Sequence, residues 1–105
     1  MAKVNKYRAK KTVLDGITFA SKAEAARYRN LKLLERAGEI QNLELQPSYV
    51  LEHNGTKICT YRADFKYMQD GKEVIEDVKG FKTPVYRLKK KLMLAIHGID
   101  ILETS

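Results

Sequence analysis

Short stretches of alternating apolar and polar residues, broken by two segments of helical period, organise this chain. In "KTVLDGITFAS" apolar residues flank Asp15-Gly16, a hairpin signal that predicts two short strands forming a flap. "SKAEAARYRNLKLLERAGEI" follows, with Ser21 as an N-cap and Gly38 as a C-terminal stop. Ala23, Ala26, Tyr28, Leu31, Leu34 and Ala37 recur there at roughly helical spacing and are the expected buried face. "LELQPSYVLEHNGTKICTYRADFKYM" reads as two strands joined at Asn54-Gly55, with a bend or bulge at Pro47. A third strand, "KEVIEDVKG", follows a turn at Asp70-Gly71. Thr83 and Pro84 fit the cap and first turn of a second helix, "VYRLKKKLMLAIH", which Gly98 ends and in which Leu88, Leu92, Ala95 and Ile96 form the apolar stripe. "IDILE" is a last short strand. The expected order is a flap, then helix, three antiparallel strands, helix and strand, as one pair of packed layers.

The length of 105 residues suits one domain, expected over 11–105, with the basic stretch 1–10 as a flexible arm. A hydrophobic content of 44% excludes a chain disordered throughout. The formal net charge of +7 and a pI near 9.5 favour a polyanionic partner, most often nucleic acid, over a soluble basic protein without one. One cysteine, Cys59, forms no internal disulfide and is too few for a zinc site; it reads as a small buried strand residue. His53 and His97 lack ligand spacing. No apolar run approaches the roughly 20 residues of a membrane span, and no signal peptide opens the chain, so the expectation is a cytoplasmic protein without a membrane partner.

The charged residues of "YRADFKYMQDGKEVIEDVKG" interrupt what are otherwise strands. In a two-residue hairpin centred on Asp70-Gly71, Asp64 faces Asp77 and Arg62 faces Lys79. Alternation puts Asp64, Asp77 and Lys79 on one face. Tyr61, Ala63, Phe65, Tyr67, Val74 and Val78 fall on the other, with Glu76 the charged exception there. Carboxylates facing each other across a strand pair sit roughly 5 Å apart at Cβ, a repulsive arrangement unless compensated. A divalent cation between them compensates it, and hard oxygen ligands suit Mg²⁺ or Mn²⁺. The alternative is a solvated face on which the aspartates pair with Arg62, Lys66 and Lys79. An odd-length loop would instead set Asp64 against Glu76.

Glu24, three residues after Ser21, fits a capping box that reaches back to the Ser21 amide, and equally a third acid near the metal. Gln46 is either an ordinary strand residue before Pro47 or one directed at the same cleft. The second helix supplies Arg87, Lys89, Lys90 and Lys91, of which only a subset can share one surface; Arg87, Lys90 and Lys91 are close enough in helical phase to do so, either contacting phosphates or forming a solvated face.

"SKAEAARY", "LELQP", "ADF" and "IEDVKG", in this order, resemble the PD-(D/E)XK nuclease superfamily, and within it a small, uncharacterised phage-encoded endonuclease-like family. The likeness runs from about Tyr7 onward. It implies an α/β (α+β) fold with a restriction-endonuclease-like core, α-β-β-β-α-β. It further implies Asp64 and Asp77 as metal-binding acids, Lys79 as the motif lysine, Glu24 as the first-helix acid and Gln46 as a further catalytic residue. Ala63 stands where the superfamily often has proline. The implied activity is Mg²⁺- or Mn²⁺-dependent hydrolysis of DNA, on branched or otherwise structured substrates in phage DNA processing. Arg87, Lys90, Lys91, Lys10 and Lys11 would contact DNA. A homodimer and phage replication or packaging proteins are the partners it admits, in the cytoplasm of a bacterial host. Two other readings stay open: a DNA-binding module of the same fold without cleavage, and a phage protein acting through protein contacts alone.

Overall fold

The computed structural model describes residues 11–105. The basic arm expected for 1–10, and Lys10 with it, lies outside the described residues. β1 (Thr12–Leu14) and β2 (Ile17–Phe19) form the flap, closed by the Asp15-Gly16 turn as expected. α1 (Lys22–Arg36) begins where the Ser21 hydroxyl accepts a hydrogen bond from the Glu24 amide at 3.1 Å. β3 (Gln41–Leu45), β4 (Ser48–His53), β5 (Thr56–Arg62), β6 (Phe65–Gln69) and β7 (Lys72–Val78) follow. α2 (Pro84–Leu92) starts at its Thr83 cap and relaxes into a π-helical turn, Met93–His97, before β8 (Leu102–Thr104). The chain is therefore a mixed α+β protein.

Five strands, not three, lie between the helices. β3, β6, β7 and β8 form one sheet in that order, with β8 parallel to β7, while β4 and β5 pair separately. The expected long hairpin is nevertheless present as a bent ladder. Leu45 faces Phe65 and Ser48 faces Arg62 in the same register on either side of the break. Across the break the Gln46 amide donates to the Asp64 carbonyl and the Ala63 amide to the Pro47 carbonyl, both at 3.0 Å. Gln46 adopts a left-handed backbone (φ 53), and Pro47 follows without an amide to extend the ladder. The bend thus turns the β4–β5 arm off the sheet.

Both faces of the sheet are covered, which corrects the two-layer expectation. Phe65 and Tyr67 pack with Phe19, Ala25, Tyr28 and Leu31 under the flap and α1. Ile75, one residue out of phase with Val74, packs on the other face with Leu51, Tyr61, Tyr86, Met93 and Ile101. Tyr61 and Ala63 belong to this second cluster, not to the Phe65 face, because the bend rotates β5 relative to β6. Helix phase also differs from expectation. α1 buries Glu24, Ala25, Tyr28 and Leu31, leaving Ala23, Ala26 and Ala37 exposed. α2 and its π-helical turn bury Tyr86 and Met93, while Leu88 and Ala95 face solvent. Cys59 is half-buried beside the second cluster.

Glu76, the charged exception on the α1 face, is fully buried. Arg27 grips it with two hydrogen bonds, Nε to Oε2 at 2.6 Å and Nη2 to Oε1 at 3.0 Å. The Tyr67 hydroxyl donates to Oε1 at 2.6 Å and Thr104 Oγ1 to Oε2 at 3.0 Å. A buried carboxylate needs this degree of compensation. The four groups tie α1, β6, β7 and β8 to one point. Replacing Glu76 with Ala would strand the Arg27 guanidinium, and we expect a loss of about 3 kcal/mol or more in urea denaturation. Loss of less than about 0.5 kcal/mol would mean that the pair is not holding the helix to the sheet.

Candidate functional site

The Asp70-Gly71 turn has both residues in the left-handed region (φ 53 and 75), the geometry of a type I′ hairpin. It fixes the register anticipated from sequence, with Gln69 facing Lys72 and Phe65 facing Glu76. Asp64 comes next, where the ladder ends. Its amide donates to the Glu76 carbonyl at 3.2 Å and to Asp77 Oδ1 at 2.9 Å. In return Asp64 Oδ2 accepts from the Val78 amide at 2.8 Å. Each aspartate therefore satisfies an amide of the opposite strand where backbone pairing stops. Arg62 does not pair with Lys79, since β5 has already turned away toward β4.

Asp77 is fully buried, and its Oδ2 accepts a hydrogen bond from the Tyr61 hydroxyl. Lys79 Nζ stands 4.0 Å from the same oxygen and 4.6 Å from the centroid of the Tyr86 ring, a cation–π distance. Burial raises the pKa of Asp77, and the Asp64 charge adds to it; the Tyr61 hydrogen bond and Lys79 act the other way. Burial and the Asp77 carboxylate also push the Tyr61 phenol well above its usual value.

Glu24, at the start of α1, completes the acidic group. Its carboxyl is raised to about 7 by burial first, then by repulsion from Asp64, with a smaller contribution from Asp77. The Ala20 backbone amide offsets part of this rise, and the hydrogen bond seen at the cap is the one from the Glu24 amide to the Ser21 hydroxyl. Gln46 is exposed at the bend, with its amide bonded to the Asp64 carbonyl. The backbone of Gln46, not its side chain, is what the structure ties to the site.

Among the described residues no three His, Cys, Asp or Glu side chains are gathered into a metal-binding group, so Glu24 does not join Asp64 and Asp77 as a ready third ligand. The donor set still fits a hard cation of the Mg²⁺ type. That ion is usually held by one or two carboxylates and keeps several waters. Asp64 and Asp77 would supply the carboxylates, with Glu24 acting through water. The repulsion from Asp64 and Asp77, which adds to the effect of burial on Glu24, is what a cation would relieve.

The basic residues fall into two groups on different flanks of α2. Arg87, Lys90 and Lys91 line one cleft with Lys82, Leu94 and Glu103. There Lys82 and Lys90 are ion-paired with Glu103 at 3.0 and 3.2 Å, so part of the charge is neutralised. The other cleft, of about 520 Å³, opens beside Lys79 and carries Arg62 and Lys89. Lys11 is exposed ahead of β1. Sequence reasoning missed Tyr61 and Lys89 as neighbours of the acids, and set Arg62 beside them but opposite Lys79 rather than on the bent arm opposite Ser48. The chain bend that brings them there has only Pro47 as a signal.

A profile of the family described as "Protein of unknown function (DUF1064)" matches residues 4–99. The chain belongs to the DUF1064 family. The matched span contains Glu24, Asp64, Asp77 and Lys79. No curated protein matches the chain.

The Glu24 shift has a sign that can be measured. A carboxyl whose pKa is raised on folding favours the folded state fully below its unfolded value near 4.5, and that contribution is lost as pH rises through about 7. In EDTA the wild type should therefore lose stability relative to Glu24→Gln between pH 4.5 and about 7. Thermal denaturation of both proteins across that range tests it, and parallel curves would refute it.

Proposed function

We propose that this protein is a divalent-metal-dependent DNA endonuclease of the PD-(D/E)XK type. The observation that carries the reading is the meeting of Asp64, Asp77 and Lys79 at the end of the β6–β7 ladder. Glu24 lies within electrostatic reach, and a basic cleft opens alongside. The element order, a helix, a bent antiparallel hairpin with a third strand, a helix and a parallel strand, is compatible with a restriction-endonuclease-like core.

When bound, Mg²⁺ or Mn²⁺ supplies Lewis acidity toward a phosphate oxygen and toward water. Asp64 and Asp77 hold the site negative, and their cross-strand hydrogen bonds keep both carboxylates from rotating away. Tyr61 fixes Asp77 from below by donating to Oδ2. Lys79, held between Asp77 and the Tyr86 ring, presents an ammonium that orients an attacking water or offsets charge developing on the phosphate. Glu24, whose carboxyl is raised by burial and by the neighbouring aspartates while the site holds no cation, would ionise more readily once a cation offsets those charges and could then orient a water of the ion. The domain carries no added recognition module in the described residues, which favours substrates distinguished by structure, such as branched DNA, over a fixed sequence.

One observation favours the second reading, a DNA-binding module without cleavage. The carboxylates of Asp64 and Asp77 already serve strand amides, as structural residues do. Incubation with branched, single-stranded and duplex DNA separates the two. Cleavage in Mg²⁺ or Mn²⁺, absent in EDTA, should fall about 100-fold or more in Asp77→Asn and in Lys79→Ala. Binding that persists without any metal-dependent cleavage would leave only the second reading.

A further inference from the structure

The cleft beside Lys79 lies between β5 and the first turns of α2. Ser48, Thr60 and Thr83 line it with hydroxyl-bearing side chains, and Arg62, Lys79 and Lys89 with cations. Its volume of about 520 Å³ falls in the range of about 300–1,000 Å³ common for ligand clefts. Among the described residues neither Arg62 nor Lys89 has a carboxylate partner. Lys89 instead donates to the Thr60 carbonyl at 3.0 Å, which holds its ammonium at the wall of the cleft. This contrasts with the opposite flank of α2, where Glu103 takes up Lys82 and Lys90. Among the described residues, Arg62 and Lys89 are thus the cations of this cleft that no carboxylate engages, Lys79 standing 4.0 Å from Asp77; Arg87 and Lys91 are the unpaired cations of the other flank.

Three exposed apolar side chains lie close to this lining along the chain: Val85 belongs to it, Phe81 stands two residues from both Lys79 and Thr83, and Leu88 precedes Lys89. Phe81, on the loop that leads from Lys79 into α2, is 81% exposed. Val85, which lines the cleft, is 62% exposed, and Leu88, three residues on along the helix, is 57% exposed. None of the three serves the core. Cations that accept phosphates, beside an uncovered aromatic ring, form the combination that binds unpaired nucleotides. The charges track the backbone, and the ring stacks on a base face. A duplex offers no such face, because its bases are already stacked on one another.

We propose that this cleft is the track of an unpaired DNA strand, with Arg62 and Lys89 on its phosphates and Phe81 stacked on a base. The proposal rests on the nuclease reading only for the direction of the strand, which would run from the cleft toward Asp64 and Asp77. It makes the preferred substrate one with a single-stranded portion, such as a flap, gap or open junction, rather than continuous duplex.

Binding can be measured apart from cleavage. In EDTA, fluorescence anisotropy with a labelled oligothymidylate should show tighter binding than a duplex of equal length. Phe81→Ala should weaken the single strand about 10-fold and leave the duplex unchanged, while Phe81→Trp should retain it. The double variant Arg62→Ala/Lys89→Ala should lower the salt dependence of single-strand affinity by one to two units of slope, about 0.7 per lost phosphate contact. Arg87→Ala/Lys91→Ala, on the other flank, should do less. All the altered side chains are exposed or on the cleft wall, and circular dichroism verifies that each variant is folded. Equal affinity for duplex, indifference to Phe81→Ala, or greater dependence on Arg87 and Lys91 would each overturn the proposal. Cleft-dependent binding without metal-dependent cleavage would sink the nuclease reading and leave the strand track standing. Cleavage that is insensitive to the cleft variants would do the reverse.

Discussion

Two consecutive acidic residues, Glu76 and Asp77, are both fully buried, and the strand that carries them sends their side chains to opposite faces. A buried carboxylate is tolerated only where hydrogen bonds and opposite charge replace water. The fold has to meet that condition twice, above and below the same two residues of β7. On the α1 face it does so with a guanidinium, a phenol and a hydroxyl drawn from three elements. On the other face it uses Tyr61 from the bent arm, the Asp64 amide from the neighbouring strand and Lys79 from beyond the strand end. These two sets of partners join α1, β5, β6 and β8 to the same two residues of β7.

The two compensations are unequal, and the inequality separates brace from site. Glu76 receives a full opposing charge in bidentate contact. Asp77 has its nearest cation at 4.0 Å and two more acids close by. Negative charge is thus in surplus on one side of β7 only. The raised pKa of Glu24 registers that surplus from α1. Arg27 lies three residues after Glu24, so the helix turn that clamps Glu76 also sets where Glu24 stands relative to Asp77. The brace is what makes the acidic group a fixed arrangement rather than three mobile side chains.

Much of this was legible in the sequence because turn chemistry is local. Asp70-Gly71 specifies a two-residue hairpin, and that alone placed Asp64 across from Asp77. Ser21, Thr83-Pro84 and Gly98 mark helix ends through the same short-range rules. The bend was visible only as Pro47. Its partner point at Ala63-Asp64 has no turn residue, and the left-handed conformation of Gln46 is imposed by pairing across the break. Extending period-two alternation through that point therefore misplaced Tyr61 and Ala63 and set Arg62 opposite Lys79 rather than Ser48. Glu76 was noticed as a charge on an apolar face. The requirement that such a charge be paired would have led to a cation on α1, and Arg27 was available there. The apolar stripes of both helices were read too broadly. Alanines count as apolar wherever they fall, and a π-helical turn shifts the phase at the end of α2.

The net charge of +7 acquires meaning only through its distribution. Glu103 faces Asp77 across the β7–β8 pair, yet it bonds Tyr86, Lys82 and Lys90, and these hold its pKa down at about 2. It neutralises part of the charge on that flank of α2, where Arg87 and Lys91 remain without a carboxylate partner among the described residues. Arg62 and Lys89 keep their charge on the other flank, next to the acids. An acidic group beside a basic cleft repels a phosphate at the first point and attracts it at the second. On the nuclease reading a divalent cation reverses the sign of the repulsive point. Cation and polyanion then reinforce each other's binding, and by linkage the coupling must be equal in both directions. On that reading such an arrangement would hold a strand weakly without metal and engage the phosphate nearest Asp64 and Asp77 only once the cation is present.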